Sequence, residues 1–250
     1  MIPLKDNIPT DRFPFVTVGL IIANVIVYLL AISHGGSLVS GPDTYEVVKY
    51  GSIPFALTHC LTHHEVIRGG QLVCASSGGI PTWATVFSSM FMHASILHIG
   101  GNMLFLWIFG NNVEDSMGPV KYFLFYIAGG IAALALQVAI GPNSAVPTLG
   151  ASGAIAAVLG GYILMYPRAR VLTLVFIIIL FTVIELPALV VLGLWFAEQA
   201  LFGATSLTNP TGGGGGVAYF AHVGGFAFGL ITIRLLAKAR KPVPGRYPVY

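Results

Sequence analysis

Long apolar runs interrupted by short polar clusters dominate this chain, and they predict helices that cross a bilayer. About 20 apolar residues span the ~30 Å hydrocarbon layer. Six such runs lie at about 14–33, 90–111, 119–140, 151–167, 185–203 and 217–237. The predicted fold class is therefore all-α, a polytopic membrane protein whose bundle of six transmembrane helices forms one domain over 14–237. The first run has Ala31 and Ser33 in the manner of a cleavage site, but it exceeds the apolar core of about 7–15 residues found in signal peptides, so it is read as a span. The stretch "VLTLVFIIILFTVIELP", Val171 to Pro187, is apolar enough to cross, yet a complete extra crossing would move the C-terminal tail to the opposite side. It is read as an interfacial or re-entrant piece leading into the fifth span. Around the bundle this leaves an N-terminal tail (1–13), an outer loop (34–82) and a basic C-terminal tail (238–250). The run Gly212–Gly216 predicts a flexible linker, and no internal repeat is visible.

Composition agrees with the pattern: 56% of the 250 residues are hydrophobic and 8% charged, against roughly 25% charged in soluble domains. A net charge of +3, without a basic stripe carrying interleaved aromatics, argues against nucleic-acid binding. The basic residues set the orientation. With the N-terminus inside, Lys5, Arg12, Lys121, Arg168, Arg170, Arg234, Lys238, Arg240, Lys241 and Arg246 fall on or near the inner side, leaving Lys49 and Arg68 outside. The expected location is the plasma (inner) membrane with both termini cytoplasmic. The outer loop holds both cysteines, Cys60 and Cys74, which fit a disulfide in an oxidising compartment. The alternative is zinc, because "HCLTHH" gathers His59, Cys60, His63 and His64, although the spacing is irregular.

Polar groups inside a membrane are costly unless partnered, and they mark bundle interiors or wet cavities. Three clusters break the apolar pattern: "HASILHIGGN" in the second run, "GASGAIAAVLGGY" in the fourth and "AHVGGFAFG" in the sixth. Counting from the basic or acidic inner ends at 1.5 Å per residue places Ser152 and His98 about 24 Å up their helices and His222 roughly 18 to 24 Å up. The three share a depth, several ångströms below the outer surface. Asn102 lies one turn deeper than His98 on the same face. Small residues recur every four positions at Ser152, Ala156 and Gly160, at Gly153, Ala157 and Gly161, and at Ala221, Gly225 and Gly229. Such faces let helix backbones approach closely in lipid, and packing them would bring His222 over Ser152. A hydroxyl beside an imidazole is a nucleophile beside its base. At a helix N-terminus, free N–H groups favour developing negative charge, with Asn102 and His98 as further donors.

Each cluster alone has a plainer reading. A Gly-x-Ser-Gly string in a Gly/Ala-rich helix is usually packing, a lone membrane histidine more often bonds a carbonyl, and Gly225–Gly229 reads as helix contact. Tyr162 and Trp195 read as packing or interfacial residues, and Glu114 as a structural charge at a helix end. Coincidence at one depth favours chemistry. The metalloprotease string HExxH is absent, as are the paired intramembrane aspartates of an aspartyl mechanism, which leaves serine chemistry with neither metal nor cofactor.

At these residues the chain resembles the rhomboid intramembrane serine proteases. The family's H-x4-H-x3-N reads here as His93, His98 and Asn102, its GxSG as Gly150, Ala151, Ser152 and Gly153, and its AHxxG as Ala221, His222, Val223, Gly224 and Gly225. Order and spacing match over about 85–237, and "GNNVEDSMG" resembles the family's loop after the second helix, with Glu114 at its acidic position. The resemblance implies a short central fourth helix and a Ser152–His222 dyad without an acidic third member. It also implies an oxyanion site from the Ser152 N–H, His98 and Asn102, substrate access past a mobile fifth helix, and a flexible cap before the sixth. Gly150, Ala151 and Trp195 are expected to border the substrate. Implied partners are transmembrane protein substrates and the lipid bilayer. Two departures stand out. Trp83 is followed by Ala84 where the family often has Arg, and Ala156 occupies the position, four after the serine, where many members stack an aromatic beneath the histidine. The second departure predicts a less firmly held histidine.

The expected function is thus intramembrane serine proteolysis near the outer boundary of single-span proteins. Two other readings are a non-catalytic membrane protein that recognises client helices in the same groove, and a transporter using His93, His98 and His222 as a relay with Glu185 or Glu198 as acidic partners.

Overall fold

The computed structural model describes residues 1–60, 64–68, 71–75, 80–177, 180–208 and 217–237. Helices coincide with all six predicted spans: α1 (Phe15–His34), α2 (Ile96–Phe105, continuing through a π-turn at Leu106–Gly110 into Asn111–Met117), α3 (Pro119–Ile140), α4 (Ser152–Met165), α5 (Ala188–Thr208) and α6 (Tyr219–Leu236). Among the described residues, α1, α3, α5 and α6 are by themselves long and apolar enough to cross a membrane. Their outward faces carry exposed Ile22, Ile26, Leu30, Leu124, Leu194, Leu201, Ile231 and Leu235, the composition a lipid-facing belt requires.

The second run differs in register from the expected 90–111. Ser95 accepts the His98 N–H at 3.2 Å and caps the helix, so it begins at Ile96, while the apolar lead-in Met90–Met92 closes turns onto Phe87, Ser88 and Ser89. At the inner end the polar "NNVEDSM" stays helical to Met117, where Gly118 at φ +83° stops it and Pro119 opens α3. Hydropathy read the apolar part of this element, whereas capping sets its limits.

Helix α4 has 14 residues, about 21 Å of helix, too short to cross alone. From Gly153 to Gly161 every residue is buried. A helix apolar on all sides belongs in a core, and this one is ringed by protein. Against it α6 packs through small residues. A Cβ on Gly225 would overlap the Gly153 carbonyl, and one on Gly229 the Ala157 carbonyl. The small faces predicted to meet do meet, at backbone contact.

The inner side departs from an all-helical description. The segment Val171–Pro187, read as an interfacial or re-entrant piece, is built of strands: Arg170–Ile177 and Leu180–Pro187 form an antiparallel hairpin, joined by the N-terminal strand Ile2–Asp6. We label these strands β1 (Ile2–Asp6), β2 (Arg170–Ile177) and β3 (Leu180–Pro187), with β2 central. A run rich in Val, Ile, Phe and Thr suits a strand. Residues 1–13 are accordingly not a free tail. β1 pairs Ile2 with Leu174 and Asp6 with Val171, and the Asp6 carboxylate accepts from Tyr162 Oη at 2.5 Å and Asn112 Nδ2 at 2.7 Å. Arg170 and Glu185 form an ion pair at 3.2 Å across the hairpin, which gives Glu185 a structural partner.

In the outer loop Cys60 and Cys74 form a disulfide, so both thiols are lost to the zinc reading. Trp83 is 63% exposed on a short 3-10 turn. His63, Gly212–Gly216 and the tail 238–250 lie outside the described residues.

Glu114 is the tie between α2 and α1. Pro14 supplies no side-chain cap to α1, and the buried Glu114 carboxylate accepts instead from the Val16 and Thr17 N–H groups at 2.9 and 2.8 Å and from the Thr17 hydroxyl at 2.8 Å. Glu114→Ala strands these donors and is expected to cost roughly 2–4 kcal/mol, read from thermal or denaturant unfolding in detergent. Asp6 yields a second expectation. Burial pushes its carboxyl from 3.8 up to about 6, so between those values the folded chain keeps a proton that the unfolded chain has released. Stability from this group is present at low pH and is lost as the pH rises toward 6. Asp6→Asn keeps an acceptor without the charge. Relative to the parent it should gain up to roughly 3 kcal/mol as the pH passes through that window. A stability difference independent of pH would refute the burial argument.

Candidate active site

The loop before α4 is built to present one residue. Thr148 pairs with Ser52 in a two-bond bridge, and the Gly150 N–H donates to the Ser89 carbonyl at 2.8 Å. Gly150 then adopts φ +118°, a conformation that favours glycine, and turns the chain into α4 at Ser152. Its missing Cβ matters as well: a Cβ there would sit 2.8 Å from His98 Nε2. Ala151 is fully buried, its N–H reaches His93 Nε2 at 3.5 Å, and its carbonyl accepts from Ile155. Ala151, expected to border a substrate, is thus held inside the protein. Its backbone is spent inside the protein, and it lines neither cavity described below.

Ser152 Oγ lies 2.8 Å from His222 Nε2, bridging α4 and α6. The other ring nitrogen, Nδ1, is 2.7 Å from Gln199 Oε1 on α5. An amide oxygen only accepts, so Nδ1 carries the proton and Nε2 presents its lone pair to the serine hydroxyl. Trp195, one turn before Gln199, places its ring 5.7 Å from that of His222. Ala156 does leave the ring without an aromatic beneath it. Ala156 is fully buried against the α6 backbone, where a Cβ on Gly225 would already come within 3.2 Å of it, and an aromatic there has no room. Support for the imidazole comes from α5 instead.

On α2 the two histidines divide their work. His93 is completely buried, with Nδ1 donating to the Phe91 carbonyl at 3.2 Å and Nε2 facing the Ala151 N–H, so it fixes the loop. His98 Nδ1 accepts the Ala94 N–H at 3.3 Å, which puts its proton on Nε2, the atom facing Gly150. Asn102 is 8% exposed, and its Nδ2 has no hydrogen-bond partner among the described residues. A buried donor without a partner costs about 1–3 kcal/mol and calls for an explanation.

Two cavities meet at Ser152. One of about 390 Å³ lies between α2 and α5 and is lined by Asn102, Phe105, Ser152, Trp195, Gln199 and His222. The other, about 210 Å³, lies between α3 and the heads of α4 and α6 and is lined by Ser89, Met90, His98, Gly150, Ser152 and His222. Gly150 and Trp195 thus border open space. No cluster of three or more His, Cys, Asp or Glu able to hold a metal exists among the described residues.

The family model of the Rhomboid domain matches residues 81–239, well over half of the chain. The chain belongs to the rhomboid family. Among similar proteins, "Rhomboid protein 1, mitochondrial" of Saccharomyces cerevisiae is 31% identical over 167 residues, covering 62% of this chain and 42% of that protein. The mitochondrial RHOMBOID-like protein 12 of Arabidopsis thaliana is 28% identical over 172 residues, covering 62% of this chain and 47% of that one. The human mitochondrial presenilin-associated rhomboid-like protein is 33% identical over 86 residues, or 33% of this chain and 22% of that protein. This rhomboid chain therefore spans less than half the length of the relatives it matches. These relatives overturn the expected plasma-membrane location, since they are mitochondrial. Basic-residue bias reports which side of a bilayer a loop occupies and says nothing about which bilayer it is.

Sequence reasoning missed Gln199, as well as Gln137, whose Oε1 accepts the Ala221 N–H at 3.2 Å and steadies the start of α6 in this rhomboid bundle. A signal existed, because an amide inside an apolar span is suspect on the same grounds as a histidine. Gly150→Ala tests the loop geometry. Strain at φ +118° and pressure on His98 should slow labelling of Ser152 by a fluorophosphonate roughly 10²-fold, followed by gel fluorescence.

Proposed function

We propose that this rhomboid chain is an intramembrane serine endopeptidase, cutting peptide bonds in or near the transmembrane segments of other membrane proteins. The observation that carries the reading is the 2.8 Å contact between Ser152 Oγ and His222 Nε2 at a wall shared by two cavities. A substrate strand, unwound where small or helix-breaking residues permit, lies along the cavities with one carbonyl at Ser152. His222 Nε2 takes the hydroxyl proton as Oγ attacks the carbonyl carbon. The resulting oxyanion is met by the N–H of Ser152 in the first turn of α4, by His98 Nε2–H and by the unpartnered Asn102 Nδ2. The tetrahedral intermediate collapses, the imidazolium returns the proton to the leaving amine, and a water repeats the sequence on the acyl-enzyme.

The membrane we infer is mitochondrial, following the names of the relatives. The unpaired amide of Asn102 favours catalysis over mere recognition of client helices, since a binding groove has no use for an unsatisfied donor beside a hydroxyl–imidazole pair. A transporter relay is disfavoured by the neutral bonding of His93 to backbone groups and by the engagement of Glu185 with Arg170.

Purified protein reconstituted with a single-span reporter substrate is expected to cleave it. Ser152→Ala and His222→Ala should each lose about 10³-fold or more in kcat, and Asn102→Ala roughly 10²-fold with little change in KM. Cleavage that survives in both Ser152→Ala and His222→Ala would refute the reading.

A further inference from the structure

The catalytic pair of the proposed protease has a third partner that neither the resemblance nor the family assignment supplies. His222 Nδ1 faces Gln199 Oε1 at 2.7 Å, and Gln199 is only 8% exposed. A buried amide in a membrane helix must satisfy its oxygen, and this one does so on the base itself. We infer that Gln199 is a positioning residue, holding His222 in the Nδ1–H tautomer and in line with Ser152 as a neutral third member.

The argument rests on geometry. For Nε2 to accept the serine proton, the ring's one proton must sit on Nδ1, and for the ring to face Ser152 its rotation about χ2 must be fixed. Gln199 does both, because its carbonyl oxygen can only accept and lies on the side of the ring opposite Ser152. Trp195, on the same side of α5, restrains the ring face from 5.7 Å. Ala156 leaves no aromatic beneath the ring, so among the described residues the ring is held, beyond α6 itself, by Ser152 on one nitrogen and by these two α5 side chains. No proton leaves Gln199 during the reaction. When His222 becomes an imidazolium, both of its N–H groups have acceptors: Gln199 Oε1 at Nδ1, and the developing leaving group at Nε2. The other titratable groups lining the shared cavity are His98, Glu198 and Tyr219.

This inference rests on the protease reading, and the experiment separates the two. Reconstituted parent, Gln199→Leu and Gln199→Glu are compared for kcat and KM from pH 5 to 9 on the single-span reporter, with circular dichroism and thermal midpoint as folding controls. Gln199→Leu should lower kcat by roughly 10- to 100-fold at nearly constant KM. Gln199→Glu restores an acceptor and adds a charge that favours the imidazolium. It should recover most of kcat while moving the acidic limb of the profile upward by about one pH unit. Equal impairment of both variants, or a Gln199→Leu profile matching the parent, overturns the positioning role. A parent that cleaves nothing overturns the protease reading. In that case the imidazole 15N spectrum still decides on Gln199: the Nδ1–H tautomer of His222 should dominate in the parent and give way in Gln199→Leu, and an unchanged spectrum refutes the inference.

Discussion

Backbone contact between α4 and α6 is the constraint on which the site depends. At Gly225 and Gly229 there is no space even for a methyl group against the carbonyls of Gly153 and Ala157. In lipid, helices gain little from burying apolar surface, so close packing of small residues becomes a main source of association. The distance between Ser152 and His222 is a consequence: with the backbones this close, a serine at the head of α4 and a histidine near the head of α6 span the gap with one hydrogen bond of 2.8 Å. A larger residue at either glycine would separate the pair before it disturbed either side chain directly.

The shortness of α4 has a related effect. Its 14 residues, buried on every side, need not match the bilayer, so protein and not lipid surrounds its head. Ser152 is then reached through the two cavities, and the loop that leads into α4 must satisfy its own backbone. Ser52, Ser89 and His93 do so by binding Thr148, Gly150 and Ala151 in turn. The inner face is held differently. There Glu114 substitutes for a missing cap on α1, and Asp6 brings the first strand against Tyr162 and Asn112, so polar bonds rather than glycine contacts close the bundle.

What could be read from the sequence was whatever depends on helix period and depth. Counting residues from charged ends put Ser152, His98 and His222 at one level, and the four-residue spacing of small side chains identified the faces that pack. Less legible was anything set by capping, pairing or a third helix. Ser95 moved the start of α2. An apolar run of span length became β2 and β3, because strand and helix are not distinguished by hydropathy when both faces are apolar. The support of His222 was missed since it comes from α5, whose rotation about its axis no local pattern specifies. Its Gln199 reads as one polar residue among many apolar ones until α6 is placed beside it.

A neutral partner at Nδ1 also has a physical rationale. In water-exposed serine hydrolases a carboxylate commonly orients the histidine, and its charge stabilises the imidazolium. In the proposed protease a buried carboxylate would have to stay charged through the resting state at a desolvation cost of several kcal/mol, while its charge is needed only when the imidazolium exists. An amide oxygen selects the same tautomer and fixes the same ring direction without a net charge to bury. It gives up some stabilisation of the transition state, which places more of the burden on the oxyanion donors. That division matches the arrangement seen: one neutral acceptor behind the imidazole, with His98 and an Asn102 amide lining the same cavity as the hydroxyl.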